Sequence, residues 1–180
     1  TRSIAVTGVQ TCALPIFNIA AEAEAFSRTQ REQADSVVSE DLQVQNPNLN
    51  GLSLKQIPFL EGMRVVVTRI LPAGEQTVAL ANPNTVLRVG DIIRLVGEPV
   101  LLQRLKIVIG PNAKINLQDI SKNLRTKRLV VTHKAAIHQT IGDLCLRYEV
   151  TISRVHRPDV EFTPSSSLHV QFGDELLVVG

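Results

Sequence analysis

The chain has 180 residues, 44% hydrophobic and 20% charged, with a formal net charge of +2, an ordinary globular composition whose length suits one domain or two small ones. So small a charge, with 3% aromatic residues and no Trp, provides neither the electrostatic footprint nor the stacking platforms of a nucleic-acid-binding surface. No apolar run reaches the roughly 20 residues that span a bilayer; the best stretch, residues 100–109, is broken by Gln103, Arg104 and Lys106.

Residues 1–16 are set aside from the fold. Within them VTGVQTCALPI, Val6 to Ile16, resembles the in-frame translation of a sequencing-library adapter; a natural strand turning at Gly8 fits the apolar residues equally well. Residues 17–40 read as a connector helix. Asn18 to Val37 is rich in Ala, Glu, Gln and Arg, and Ile19, Ala23 and Phe26 make one apolar stripe at spacings of four and three.

A first module is expected over residues 41–110. LQVQ at Leu42 to Gln45 alternates as a strand does and is stopped by NPNLNG, residues 46–51. Ser53 is a helix N-cap type, and Leu54 and Ile57 stand three apart before Pro58, which predicts a short helix. MRVVVTRIL, residues 63–71, is β-branched enough for a central strand; PAGE turns the chain into a strand at QTVAL, and a second turn region delivers it into Ile92 to Val96. Pro99 opens a helix whose Val100, Leu101, Leu102, Leu105 and Val108 form a broad apolar face before Gly110. Residues 111–126 read as a linker with a basic, solvated end.

The same order then repeats over residues 127–180. LVV at 129–131 matches LQV at 42–44, VTISRV at 150–155 matches VVVTRI at 65–70, and FGDELLVVG at 172–180 matches VGDIIRLVG at 89–97. The offsets are 87 (129 minus 42), 85 (150 minus 65) and 83 (173 minus 90), a drift that loop-length changes between duplicated units produce. The fold class is therefore α+β: two tandem modules of β-α-β-β-β, the first with a following helix that has no counterpart before Gly180. Units this small bury modest cores, so they are expected to pack on each other or on a partner chain, as in a homodimer.

Candidate chemistry is sparse. Asp91 and Asp174 are matched carboxylates that tempt a catalytic reading, but each follows a glycine, Gly90 or Gly173, at a strand entrance, where Asp commonly bonds the turn backbone. His133, His138, His156 and His169 lack a metal-ligand pattern. Cys12 and Cys145 make neither a CxxC pair nor a disulfide framework, and Ser165 to Ser167 lacks a nucleophile elbow. Neither GxGxxG nor a P-loop is present. No catalytic residue, metal or cofactor is assigned. Arg69 and Arg154, equivalent in the two copies, each end a central strand and are the candidate ligand-binding residues, able to reach a small anion or a nucleotide.

The paired segments at 89–97 and 172–180 resemble the C-terminal domain of regulators of potassium conductance (RCK_C, or TrkA-C), whose last strand runs hydrophobic-Gly-Asp, then hydrophobics, then Val-Gly. With NPNLNG, VVVTRI and VTISRV in order, residues 17–180 look like the cytoplasmic insert of bacterial aspartate:alanine exchanger family transporters. Arg94 departs from the pattern, standing where a hydrophobic residue is commoner. The resemblance implies a non-catalytic regulatory region at the cytoplasmic face of the bacterial inner membrane. Its partners would be the transmembrane domains of the same parent chain, and a small ligand would shift the module pair between states. The alternative is a stand-alone soluble small-molecule-binding or dimerisation module.

Overall fold

The computed structural model describes residues 37–58, 60, 63–158 and 160–180. The adapter-like segment and nearly all of the expected connector helix lie outside these residues. Among the described residues eight strands form two separate four-stranded sheets. In the first, β1 (Val38–Gln43), β2 (Val65–Leu71), β3 (Ala79–Leu80) and β4 (Ile92–Gly97) are ordered β1-β4-β2-β3; in the second, β5 (Thr126–Val130), β6 (Thr151–Arg157), β7 (Val160–Phe162) and β8 (Glu175–Val179) are ordered β5-β8-β6-β7. All pairings are antiparallel.

The duplication extends to register. Leu42 stands opposite Ile93 and Leu129 opposite Leu176, so the offsets of 87 and 83 hold residue by residue. Each central strand carries the same irregularity, between Val67 and Arg69 in β2 and between Ile152 and Arg154 in β6. A bulge re-aims the side chains that follow it, and in both copies the residue after it is the arginine.

Each sheet buries one face in its own core. Leu42, Ile70, Ile93 and Leu95 of the first sheet pack with Leu102, Leu105 and Ile109 of helix α1 (Pro99–Ile109). The α1 residues recur at three and four, as a helix laid on a sheet requires. Gly110 ends α1 at a φ of 147°, and a Cβ there would meet the Gln43 carbonyl oxygen at 2.1 Å. That close approach lets the following segment turn back along β1, where Leu42 bridges to Asn112. In the second sheet Ile152, Val155, Leu176 and Val178 pack with Ile141 and Leu144 of α3 (Ile141–Tyr148).

Several sequence expectations shift. The connector helix was expected to run to residue 40, but Val38 to Glu40 belong to β1, because β-branched Val38 pairs opposite Gly97 and extends the sheet. The helix expected at residues 53–57 is a single 3-10 turn, Leu54–Gln56; the Ser53 N–H and hydroxyl both donate to Gln56 Oε1. Its counterpart α3 is a full helix with a reciprocal Thr140–Asp143 cap. The expected QTVAL strand pairs only at Ala79–Leu80. The segment expected as linker contains helix α2 (Leu117–Ile120) and ends inside β5 at Thr126.

Candidate functional site

The functional candidates lie on the opposite faces of the two sheets. Across the first sheet Asp41 of β1, Arg94 of β4 and Arg69 of β2 stand in one row. Arg94 Nη1 donates to Asp41 Oδ2 at 2.9 Å and to Asn116 Oδ1 at 2.8 Å, and Nη2 donates to Gln118 Oε1 at 3.1 Å. Between those two polar residues, Leu117 of α2 is fully buried against Leu71 and Val78. The row is thereby closed from above. Burial pushes the Asp41 carboxyl above its ordinary value, even against the neighbouring Arg94. Arg69 is pulled down by burial and by the like charge of Arg94.

Arg69 leaves its own module. Its Nη2 donates to Thr126 Oγ1 of β5 at 2.9 Å, while its buried Nε has no hydrogen-bond partner among the described residues. Arg154 points the other way: Nη2 reaches Ser39 Oγ of β1 at 3.4 Å and Nη1 pairs with Glu161 at 2.8 Å. Thr151 Oγ1 adds a 3.0 Å bond to the Ala81 carbonyl. The two sheets are thus tied together through β2 and β6, and both arginines expected from the sequence sit at that junction.

The matching row of the second sheet, Arg128, Leu177 and Arg154, is not closed. It floors a shallow cleft lined by Arg128, Arg154, His156, Glu161, Glu175 and Leu177. By register, His156, Glu161 and Glu175 occupy the places of Leu71, Val78 and Ile92, which form the apolar seat of Leu117 in the first module. An apolar seat under a helix has become a charged, open floor. Its cations and anions are paired, Arg128 with Glu175 at 2.9 Å and Arg154 with Glu161 at 2.8 Å. A cleft of about 30 Å³ admits one small polar group, such as a carboxylate or the edge of a phosphate, together with exchange of those ion pairs.

Gly90 and Gly173 hold φ values of 97° and 85°. Both following carboxylates are buried and bond the turn: Asp91 accepts from the Arg88 and Ala73 N–H groups, each at 2.8 Å, and Asp174 from the Gln171 N–H at 2.8 Å. The residue matching Ala73 is Pro158, which has no N–H to give. Arg157 takes its place with a two-pronged contact to Asp174 at 2.8 and 3.0 Å, which raises the guanidinium pKa further.

Sequence reasoning singled out Arg69 and Arg154 as strand-end residues, whereas both lie inside β2 and β6 because pairing with β4 and β8 carries those strands further; it did not single out Asp41, Arg128, His156, Glu161 and Glu175 as one cluster. For three of these a signal was present: aligning the copies puts His156, Glu161 and Glu175 at positions that are apolar in the first copy, whereas Asp41 and Arg128 match each other and are charged in both. Arg94, the departure from the family pattern, faces the Asp41 row rather than the core.

No family model matches the chain. It is 37% identical over 165 residues to a protein named "Putative transport protein" from Actinobacillus pleuropneumoniae serotype 5b (strain L20), the alignment taking in 91% of this chain and 30% of the relative. Among solved structures, "Crystal Structure of the GsuK RCK domain" overlaps 81% of this chain and 61% of its own at 9% identity and a TM-score of 0.41. "Structure of RCK domain with cda" overlaps 39% of this chain and 96% of its own at 22% identity and a TM-score of 0.35. TM-scores this low carry no functional inference. Among the described residues no helix is long and apolar enough to cross a membrane. In sequence, the chain is similar to a segment of proteins named for transport, and spans about 30% of the length of the relatives it matches.

Proposed function

We propose that this chain is a non-catalytic regulatory region of a bacterial membrane transporter related to the aspartate:alanine exchangers, lying at the cytoplasmic face and acting on transmembrane domains of the same polypeptide. The similarity to transport proteins supports the setting, and the Arg154 junction supports the mechanism. Arg154 contributes at once to the charged cleft and to the contact with Ser39 of the other module. An anionic group of a small ligand or nucleotide entering the cleft competes with Glu161 for the guanidinium and draws Nη2 away from Ser39. Binding then favours one arrangement of the modules over another, which is what a ligand needs to shift a population. Arg69 forms the matching contact on the other side of the junction and is released or retained with it. Homodimerisation through the module pair would couple two such switches.

The test is a thermal-shift and calorimetric screen of nucleotides, amino acids and inorganic anions on the chain, repeated with Arg154→Gln. A ligand that raises the melting temperature of the parent chain and loses its effect in Arg154→Gln is the expected result. Silence across the screen sinks ligand sensing and leaves a scaffold joining membrane segments.

A further inference from the structure

The geometry points to a helix-docking face on the second module, opposite the charged cleft, whose occupant is an amphipathic helix of the α1 type with an acidic residue where α1 carries Lys106, followed by an extended segment. The duplication supplies the template. In the first module, α1 lies over β1 and β4 and reduces Leu42 to 0% exposure. The chain then runs along the outer edge of β1: the Gln43 N–H donates to the Pro111 carbonyl, and the Asp41 carbonyl accepts from the Ala113 N–H. Residues 99–113 therefore cover both a face and an edge.

Among the described residues the second module has the surface and lacks the cover. Leu129, which matches Leu42, is 50% exposed, and every residue of β5 is exposed. Among the described residues nothing pairs along the outer edge of β5. An open edge with adjacent apolar side chains is a template for further chain, and proteins ordinarily cover or blunt it. The core beneath is prepared for such a cover, since Leu176 and Val178 line the same face as Leu129.

Charge selects the occupant. Glu40 of β1 pairs with Lys106 of α1 at 2.7 Å, both partly buried. The residue matching Glu40 is Lys127, opposite Val178 as Glu40 is opposite Leu95. The sign has reversed. A copy of α1 would set Lys106 against Lys127, which disfavours exchange of α1 between two copies of this chain and favours a helix with Glu or Asp at that place. The related transport proteins run well beyond the aligned region, so their further polypeptide is a source of such a segment.

This inference does not depend on ligand binding at Arg154. It is tested by titrating the isotope-labelled 180-residue chain with two peptides spanning residues 98–113, one native and one with Lys106→Glu, followed by NMR. Saturable shifts at residues 127–131 and 176–178 are expected, with the Lys106→Glu peptide binding about threefold tighter, as for a partly exposed ion pair. Lys127→Glu should reverse that preference, and Leu129→Arg should abolish binding without moving the unfolding midpoint, since Leu129 is half-exposed. No shifts at β5, shifts indifferent to the charge at 106 and 127, or self-association of the chain that buries Leu129 would each overturn the proposal.

Discussion

Arg69 donates to the hydroxyl of Thr126 at 2.9 Å, and its repeat equivalent Arg154 reaches the hydroxyl of Ser39, the repeat equivalent of Thr126. The separations are those of the duplication itself, 85 (154 minus 69) and 87 (126 minus 39). Each module thus sends the same side chain to the same place on the other, and the two halves meet as a local pseudo-dimer. The first of these contacts is shorter and more deeply buried, and the second is long enough to be weak. A double-mutant cycle of Arg69→Ala with Thr126→Ala, read by urea unfolding, should give a coupling of about 1–2 kcal/mol, against about 0.5 kcal/mol or less for Arg154→Ala with Ser39→Ala. Equal couplings would show that burial does not decide their strength.

Asp41 is the carboxylate facing Arg94, with Arg69 alongside. Asp41→Ala leaves buried guanidinium charge without its counter-ion and should destabilise the chain by about 3–5 kcal/mol. The matching change in the open module, Arg128→Ala, removes an ion pair whose arginine is 74% exposed and should cost less than about 1 kcal/mol. Chemical denaturation of the two variants side by side distinguishes them.

The Arg157 clasp on Asp174 stands in for the backbone N–H that Pro158 lacks. Arg157→Met removes the guanidinium, which also lies 5.6 Å from the centre of the Phe162 ring, and strips one partner from a buried carboxylate; it should cost about 1–3 kcal/mol. Combining it with Pro158→Ala, which restores an N–H where Ala73 has one, should recover part of the loss. No recovery would mean that the turn cannot close as its counterpart does.

Helix α3 begins with a reciprocal cap, in which Thr140 Oγ1 accepts from the Asp143 N–H at 3.1 Å and donates to Asp143 Oδ2 at 2.7 Å. Thr140→Ala should cost about 1 kcal/mol. The hydroxyl bond, together with the Thr140 N–H donating to the same Oδ2 at 3.3 Å, holds the Asp143 carboxyl below its ordinary 3.8. A lowered folded-state pKa means the contribution is fully present above 3.8 and is lost as the pH falls through the folded value. Asp143→Asn should therefore flatten the acid limb of the stability curve below 3.8 and leave its shape unchanged at neutral pH, as followed by circular dichroism.

Much of the architecture was legible in the residues alone. Two Gly-Asp anchors, two β-branched central strands and a drift of offsets confined to loops identify a duplicated α+β unit, because strand alternation and turn residues are local properties. Helix α1 was equally plain in its start at Pro99 and its stop at Gly110, but its face was legible only in part: Leu102 and Leu105 are buried as expected, whereas Val100 and Val108 are exposed and Ile109 takes the third buried place. The extension of β1 back to Val38 was not, because an Ala- and Glu-rich approach favours helix until β4 supplies a pairing edge.

The chain by itself determined that there are two copies of one α+β unit and that Arg69 and Arg154 are equivalent in them; the structure puts both inside their strands, β2 and β6, rather than at strand ends. Only the tertiary structure decided what those arginines meet, that Asp41 and Arg94 are sealed beneath Leu117, and that the corresponding row of the second module lies open. The physical reason is range. Periodicity and turn chemistry act over a few residues, whereas the partner of a buried charge lies 53 positions away for Arg94 and 57 for Arg69, and is chosen by packing of the whole pair.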